Sequence, residues 1–217
     1  LSAVVTLAFP LAAGLLYSAT GALLPMVLYY GMAWGLTRWR RGSTGYFNRP
    51  LAKPPFWFYI NLSVILLALG AAYYARMEVS SPDITGVLVT VVFWAVINAA
   101  SEQLLWIYIF EAWDLSAMFA GLKYGRLLKR AVGLLLFTVF VGTIHTLFWV
   151  RFLHTVDAEM SLGVIFVILT AVSGYLHIAV WRTGGEMLWT FIPHFLLNLL
   201  PLFWTGYSIL PYLVRLG

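Results

Sequence analysis

Apolar residues run in long, nearly unbroken blocks along this chain, and polar residues gather in short stretches between them. Blocks such as Leu62–Ala75 and Gly163–Trp181 lack the period-two alternation of strands and have the length of membrane-spanning helices. The pattern predicts a first segment over about Ser2–Tyr17 and a second over about Thr20–Leu36, with kinks at Pro10 and Pro25 that neighbouring helices would tolerate. A third starts at the aromatic girdle Phe56-Trp57-Phe58-Tyr59 and ends near Tyr73-Tyr74, both typical of interface belts. Further segments follow over about Ile84–Phe110, Ala131–Val150, Ser161–Trp181 and Met187–Phe203, and a short run over about Thr205–Val214 closes the series. The expected fold is all-α: a polytopic integral membrane helical bundle of about eight transmembrane segments, forming one transmembrane domain over 1–217. No internal repeat or low-complexity tract breaks the pattern.

Composition strengthens this reading. Hydrophobic residues make up 62% of the 217 residues and charged ones 10%, against roughly 25% charged in soluble domains. A β-barrel would show short alternating segments instead. The net charge of +5 is no nucleic-acid footprint, because the bases sit in the loops, where they set topology. Arg38, Arg40, Arg41, Arg49 and Lys53 form one basic loop, broken by Gly42, Gly45 and Pro50; Lys123, Arg126, Lys129 and Arg130 form another. Arg76, Glu78, Pro82 and Asp83 fall in a short loop between them, and the mixed-charge stretch Arg151–Met160 follows the second. The positive-inside rule places the basic loops in the cytoplasm, and the loops then alternate sides through the series. The expected location is the plasma membrane. Without cysteine there are no disulfides, thiolate metal sites or cysteine nucleophile. The sequence opens at Leu1 rather than methionine, which leaves room for a preceding piece. The first apolar run continues into a second with no small-residue cleavage site of the usual kind, so no signal peptide is expected.

Against this background, three polar clusters stand out: Ser101-Glu102-Gln103, His145, and His194 with Asn198. An acid at the centre of a spanning helix costs roughly 2.5 to 3.5 kcal/mol, so such residues usually face protein and mark a site. His194 and Asn198 are four apart and share one helix face. An imidazole and a carboxamide NH2 are the donors that a tetrahedral oxyanion needs. Glu102 is the one carboxylate placed well inside a predicted span, and a carboxylate with a histidine can take a proton from water and pass it to a leaving amine. Glu102 lies about 12 Å above the end of its helix at 1.5 Å per residue. His194 has a similar depth, whereas His145 needs a tilted helix to reach it.

Other hydrolytic plans fit less well. There is no HExxH helix and no GxGD or YD pair for an aspartyl dyad. Gly206-Tyr207-Ser208 has the Gly-x-Ser shape of a rhomboid nucleophile but follows every histidine in the chain. Glu102, His145 and His194 with a water would suit catalytic zinc, an arrangement that leaves Asn198 without a role; no cofactor is the favoured expectation.

Three motifs together carry a family resemblance. Arg182-Thr183-Gly184-Gly185-Glu186-Met187-Leu188-Trp189 leads into His194-Phe195-Leu196-Leu197-Asn198-Leu199, Glu102-Gln103-Leu104-Leu105-Trp106-Ile107 precedes it, and Val141-Gly142-Thr143-Ile144-His145 lies between. The chain resembles the CPBP family, the CAAX proteases and bacteriocin-processing proteins also called the Abi family. These motifs match its Arg-Thr-Gly…His-x-x-x-Asn, Glu-Glu-x-x-x-Arg and Phe-x-x-x-His segments over about Ala99–Pro201, within a CPBP-like core of about 84–204. The resemblance implies a metal-independent intramembrane glutamic-type endopeptidase. In it Glu102 and His145 activate water, while His194 and Asn198 stabilise the oxyanion. Gln103, Ile107 and Val141 stand where the family has glutamate, arginine and phenylalanine. Losing a glutamate and an arginine four apart together avoids stranding one charge, so the paired loss reads as removal of a structural ion pair.

The expected partner is a membrane-associated peptide or protein substrate, with the lipid bilayer around the chain. The alternative is a catalytically silent scaffold or accessory subunit that binds a membrane protein; a small transporter fits less well. Ordinary structural roles are expected elsewhere. His177 reads as a satisfied interface histidine or a pocket-lining one, and His154 as a solvated loop residue. Glu111, Asp114 and Glu186 read as solvated at membrane edges, and Trp106 and Trp189 as packing or anchoring residues.

Overall fold

The computed structural model describes residues 1–48, 50–78 and 83–215; Arg49 and Pro82, placed in loops by the sequence pattern, lie outside the described residues. Nine α-helices are present among them: α1 (Ser2–Thr20), α2 (Leu23–Arg41), α3 (Phe56–Tyr74), α4 (Ile84–Leu88), α5 (Ala95–Asp114), α6 (Gly125–Leu147), α7 (Ser161–Gly184), α8 (Leu188–Thr205) and α9 (Leu210–Leu213). A π-helical turn, Val89–Trp94, joins α4 to α5, so that Ile84–Asp114 runs on as one 31-residue stretch. The only pairing of extended backbone among the described residues is an isolated bridge between Arg76 and Val156.

The all-α membrane architecture is as expected, but the number of spans is not. Six helical stretches are long and apolar enough to cross a membrane, rather than eight: α1, α3, Ile84–Asp114, Gly125–Arg151, α7 and α8. The second segment falls short because α2 ends in Arg38, Arg40 and Arg41. Its apolar part is only about 15 residues, or about 22 Å against a hydrocarbon core of about 30 Å. The last run shrinks to the four residues of α9. Exposed side chains on the spans are themselves apolar, as at Leu7, Leu11 and Leu15 of α1 and Leu66 and Leu67 of α3, which suits a lipid surround. The chain is a multi-pass integral membrane protein.

The chain divides into two compact units, and the division runs through α5 between Gln103 and Leu104. The first comprises Leu1–Gly42, Leu104–Phe152 and Tyr212–Gly217. Its core is aromatic: Tyr29 packs against Phe9, Phe140 and Trp149, and Tyr17 against Phe148 and Phe152. Trp106 donates its indole N–H to the Tyr29 hydroxyl at 3.2 Å, which places it in the core as expected. Close helix approach depends on small residues. A Cβ on Gly133 would come within 2.8 Å of the Phe110 carbonyl, and one on Gly14 within 2.8 Å of the Leu147 carbonyl. Glu111 and Asp114 are not solvated carboxylates here. Glu111 is 8% exposed and pairs with Arg41 at 3.0 Å, and Asp114 pairs with Arg130 at 3.2 Å.

The second unit comprises Ser43–Gln103 and Leu153–Pro211. Here α3 packs chiefly along α7 and secondarily along α8, with Phe58 edge-on to Trp189 and Tyr73 edge-on to Trp204. Both α7 and α8 stop at left-handed glycines, Gly185 at φ 63° and Gly206 at φ 67°, the conformation that lacks a Cβ penalty only in glycine. Pro193 and Pro201 lie inside α8, where each removes one backbone donor from the helix ladder.

Candidate active site

Glu102 sits in the first half of α5, in the second unit, and is 2% exposed. Asn98, one turn earlier on the same face, donates its side-chain N–H to Oε2 of Glu102 at 3.2 Å. His194 comes from α8 and brings its Nε2 to 3.3 Å from the same oxygen, within reach of a proton exchanged between them. Two of the sequence-predicted residues, 92 positions apart, therefore meet directly, and the carboxylate is held by one amide and one imidazole. Ser101 and Gln103 are buried beside it. Gln103 turns back on its own helix, donating Nε2–H to the Ala99 carbonyl, while its Oε1 has no partner among the described residues.

Asn198 follows His194 by one turn of α8 and is half-buried. Its amide nitrogen is shielded from solvent and has no acceptor among the described residues. His145 belongs to the first unit, on α6. Its Nδ1 donates to the Val141 carbonyl at 2.7 Å, and its ring lies 6.4 Å from that of Trp106.

Two residues near this pair were undervalued in the sequence pattern. Asn98 bears the i,i+4 relation to Glu102 that places both on one face, a signal present in the sequence. His177, on α7, is buried, with its Nδ1 2.6 Å from the Ser173 carbonyl. Its ring also packs edge-on against His194, centroids 5.6 Å apart and planes at 65°.

The turn between α7 and α8 contains Glu186, which is fully buried rather than solvated. The reason is a strap formed by Ser43–Asn48. Met187 N–H donates to the Gly45 carbonyl at 2.9 Å, Asn48 donates to the Gly185 carbonyl at 2.9 Å, and Gly45 lies against the Trp181 ring. Tyr46 in this strap donates to the Ala100 carbonyl at 2.8 Å, two residues before Glu102. Burial pushes the Tyr46 phenol above its ordinary range, and the negative charge of Glu186 pushes it further. Trp189 donates to the Ala52 carbonyl at 2.9 Å, an anchoring role.

Among the described residues, no group of three or more His, Cys, Asp or Glu is arranged to hold a metal ion. Comparison with protein-family models, curated proteins and solved structures finds no match to this chain.

Proposed function

We propose that this protein is an intramembrane endopeptidase of the glutamic type, related to the CPBP family, that hydrolyses a peptide bond of a membrane-associated substrate without a metal. The observation that carries the reading is the buried Glu102 carboxylate, hydrogen-bonded by Asn98 and 3.3 Å from the His194 imidazole, on helices long enough to cross a membrane. An acid buried in a membrane-spanning helix usually faces protein and marks a site.

In the reaction, Glu102 takes a proton from water as the water oxygen bonds to the scissile carbonyl carbon. Once Glu102 is protonated it becomes a weak acceptor, and the Nε2–H of His194 is released to donate to the oxyanion beside the amide of Asn198. Glu102 then returns its proton to the leaving amine as the C–N bond breaks. The reading places the protein in the plasma membrane with its basic loops in the cytoplasm.

The test is terminus mapping by mass spectrometry on membranes of cells that produce either the wild-type chain or Glu102→Gln. New peptide termini should depend on Glu102 and vanish equally in His194→Ala. Identical termini at equal rates in all three would exclude the enzyme. The scaffold reading draws on one feature, the occupation of Oε2 by two protein donors, as in a structural contact. It predicts that a co-purifying membrane partner survives both substitutions and that no terminus depends on them.

A further inference from the structure

A second set of buried polar residues lies behind the Glu102–His194 pair, and the reaction as written does not use it. Asn61 of α3 and Ser173 and His177 of α7 are all at most 2% exposed. Their polar atoms form one connected set. The Ser173 carbonyl can only accept, so the 2.6 Å contact fixes the proton on Nδ1 of His177. The Ser173 hydroxyl donates in turn to Oδ1 of Asn61 at 2.7 Å, and its oxygen stands 3.3 Å from the same Nδ1. The amide nitrogen of Asn61 lies 3.4 Å from Nδ1, too long for a strong bond and facing a nitrogen that already bears its proton. The imidazole of His177 is therefore oriented by its own helix, through a Ser173 that Asn61 of α3 holds in turn. The ring it presents edge-on to His194 is a fixed wall rather than a mobile neighbour.

We infer that His177 is a positioning residue for the proposed peptidase: the Asn61–Ser173–His177 relay locks the ring that aims the Nε2 of His194 at Glu102. This rests on the peptidase reading for its purpose but not for its geometry. Three buried polar residues on two helices have a structural cost unless all are satisfied. A phenylalanine at position 177 would fill the same volume without them. The relay contributes what an apolar ring cannot, a fixed rotation of an imidazole. Such second-layer fixation matters because a displacement of about 1 Å can cost about 100-fold in rate.

The chain has four histidines, so the full-length protein labelled with 15N-histidine in lipid nanodiscs gives a spectrum assignable by single His→Gln substitutions. In His177→Phe and in Ser173→Ala, the His194 nitrogens should move from one Nε2-protonated tautomer toward a mixture of tautomers. Ser173→Thr, which keeps the hydroxyl, should restore the wild-type signals, and Ser63→Ala, an exposed hydroxyl on α3, should change nothing. Ser173→Ala removes a single oxygen and keeps the test decisive if His177→Phe does not fold. Unchanged His194 signals in Ser173→Ala would overturn the inference. The rate of appearance of Glu102-dependent termini should fall roughly 10- to 100-fold in the same two variants and recover in Ser173→Thr. If the wild-type chain produces no such termini the peptidase reading fails by itself, while the nitrogen signals still decide whether His177 positions His194.

Discussion

Helix α5 carries two buried glutamates nine residues apart, and the protein treats them in opposite ways. Glu111, in the first unit, faces the guanidinium of Arg41. That partner is charged at every accessible pH and gives up no proton. Glu102, in the second unit, faces an amide and an imidazole. The imidazole is the one common side chain whose charge can change near neutrality. A carboxylate neutralised by arginine is fastened, whereas one balanced by histidine can exchange a proton. The contrast extends to the surroundings, with aromatic packing around Tyr29 in the first unit and a relay of Asn61, Ser173 and His177 in the second.

The comparison can be broken at four places. The largest effect is expected from Glu102→Gln, which should lower cleavage by roughly 10²- to 10⁴-fold, the usual worth of a general acid–base group, while leaving the melting temperature in detergent almost unchanged. A large fall in thermal stability instead would make Glu102 a structural residue like Glu111. Next, Arg41→Ala should cost about 3–5 kcal/mol of stability by stranding the Glu111 carboxylate, with Arg41→Ala/Glu111→Gln regaining most of it in the same melting assay. Asn198→Ala should reduce turnover by about 10²- to 10³-fold as a lost oxyanion donor, with substrate binding retained. Equal turnover would leave that amide without a catalytic part. The smallest effect belongs to Tyr46→Phe, about 1 kcal/mol for the lost bond to the Ala100 carbonyl. Its pH dependence is more telling. The folded phenol titrates later than the unfolded one, so the folded state binds more protons and stability falls as pH rises past about 10. Melting curves from pH 9 to 11 should lose that part of their slope in Tyr46→Phe.

The sequence announced some of this better than the rest. Both ends of α3 were legible because aromatic residues mark them on either side of an apolar run. The ends of α2 and α6 were not, for one shared reason. Arg38–Arg41 and Arg126–Arg130 read as basic loop, yet arginine, lysine and leucine are good helix formers. Arginines in a last turn also interact favourably with the negative end of the helix dipole. Helix α2 accordingly continues to Gly42, whose φ of 71° provides the stop, and α6 begins at Gly125. Polarity indicates where lipid ends, and turn chemistry where helix ends. The meeting of Glu102 with His194 was anticipated from their types and depths. The burial of Glu186 was not, because it depends on a strap more than a hundred residues away in the chain. Asn98 was readable from its spacing and hidden only by the louder acid beside it.

The π-helical turn at Val89–Trp94 has a consequence for any redesign of this region. Such a turn fits one additional residue into an α-helix, and one residue amounts to about 100° of rotation. It thus acts as a phase shifter for everything downstream, Asn98 and Glu102 included. Deleting a single amino acid there would let the turn close into regular α-helix with the acid still on its present heading, whereas the same deletion in the regular helix between the turn and Glu102 would swing the acid by more than a quarter of a circle from the imidazole it now meets.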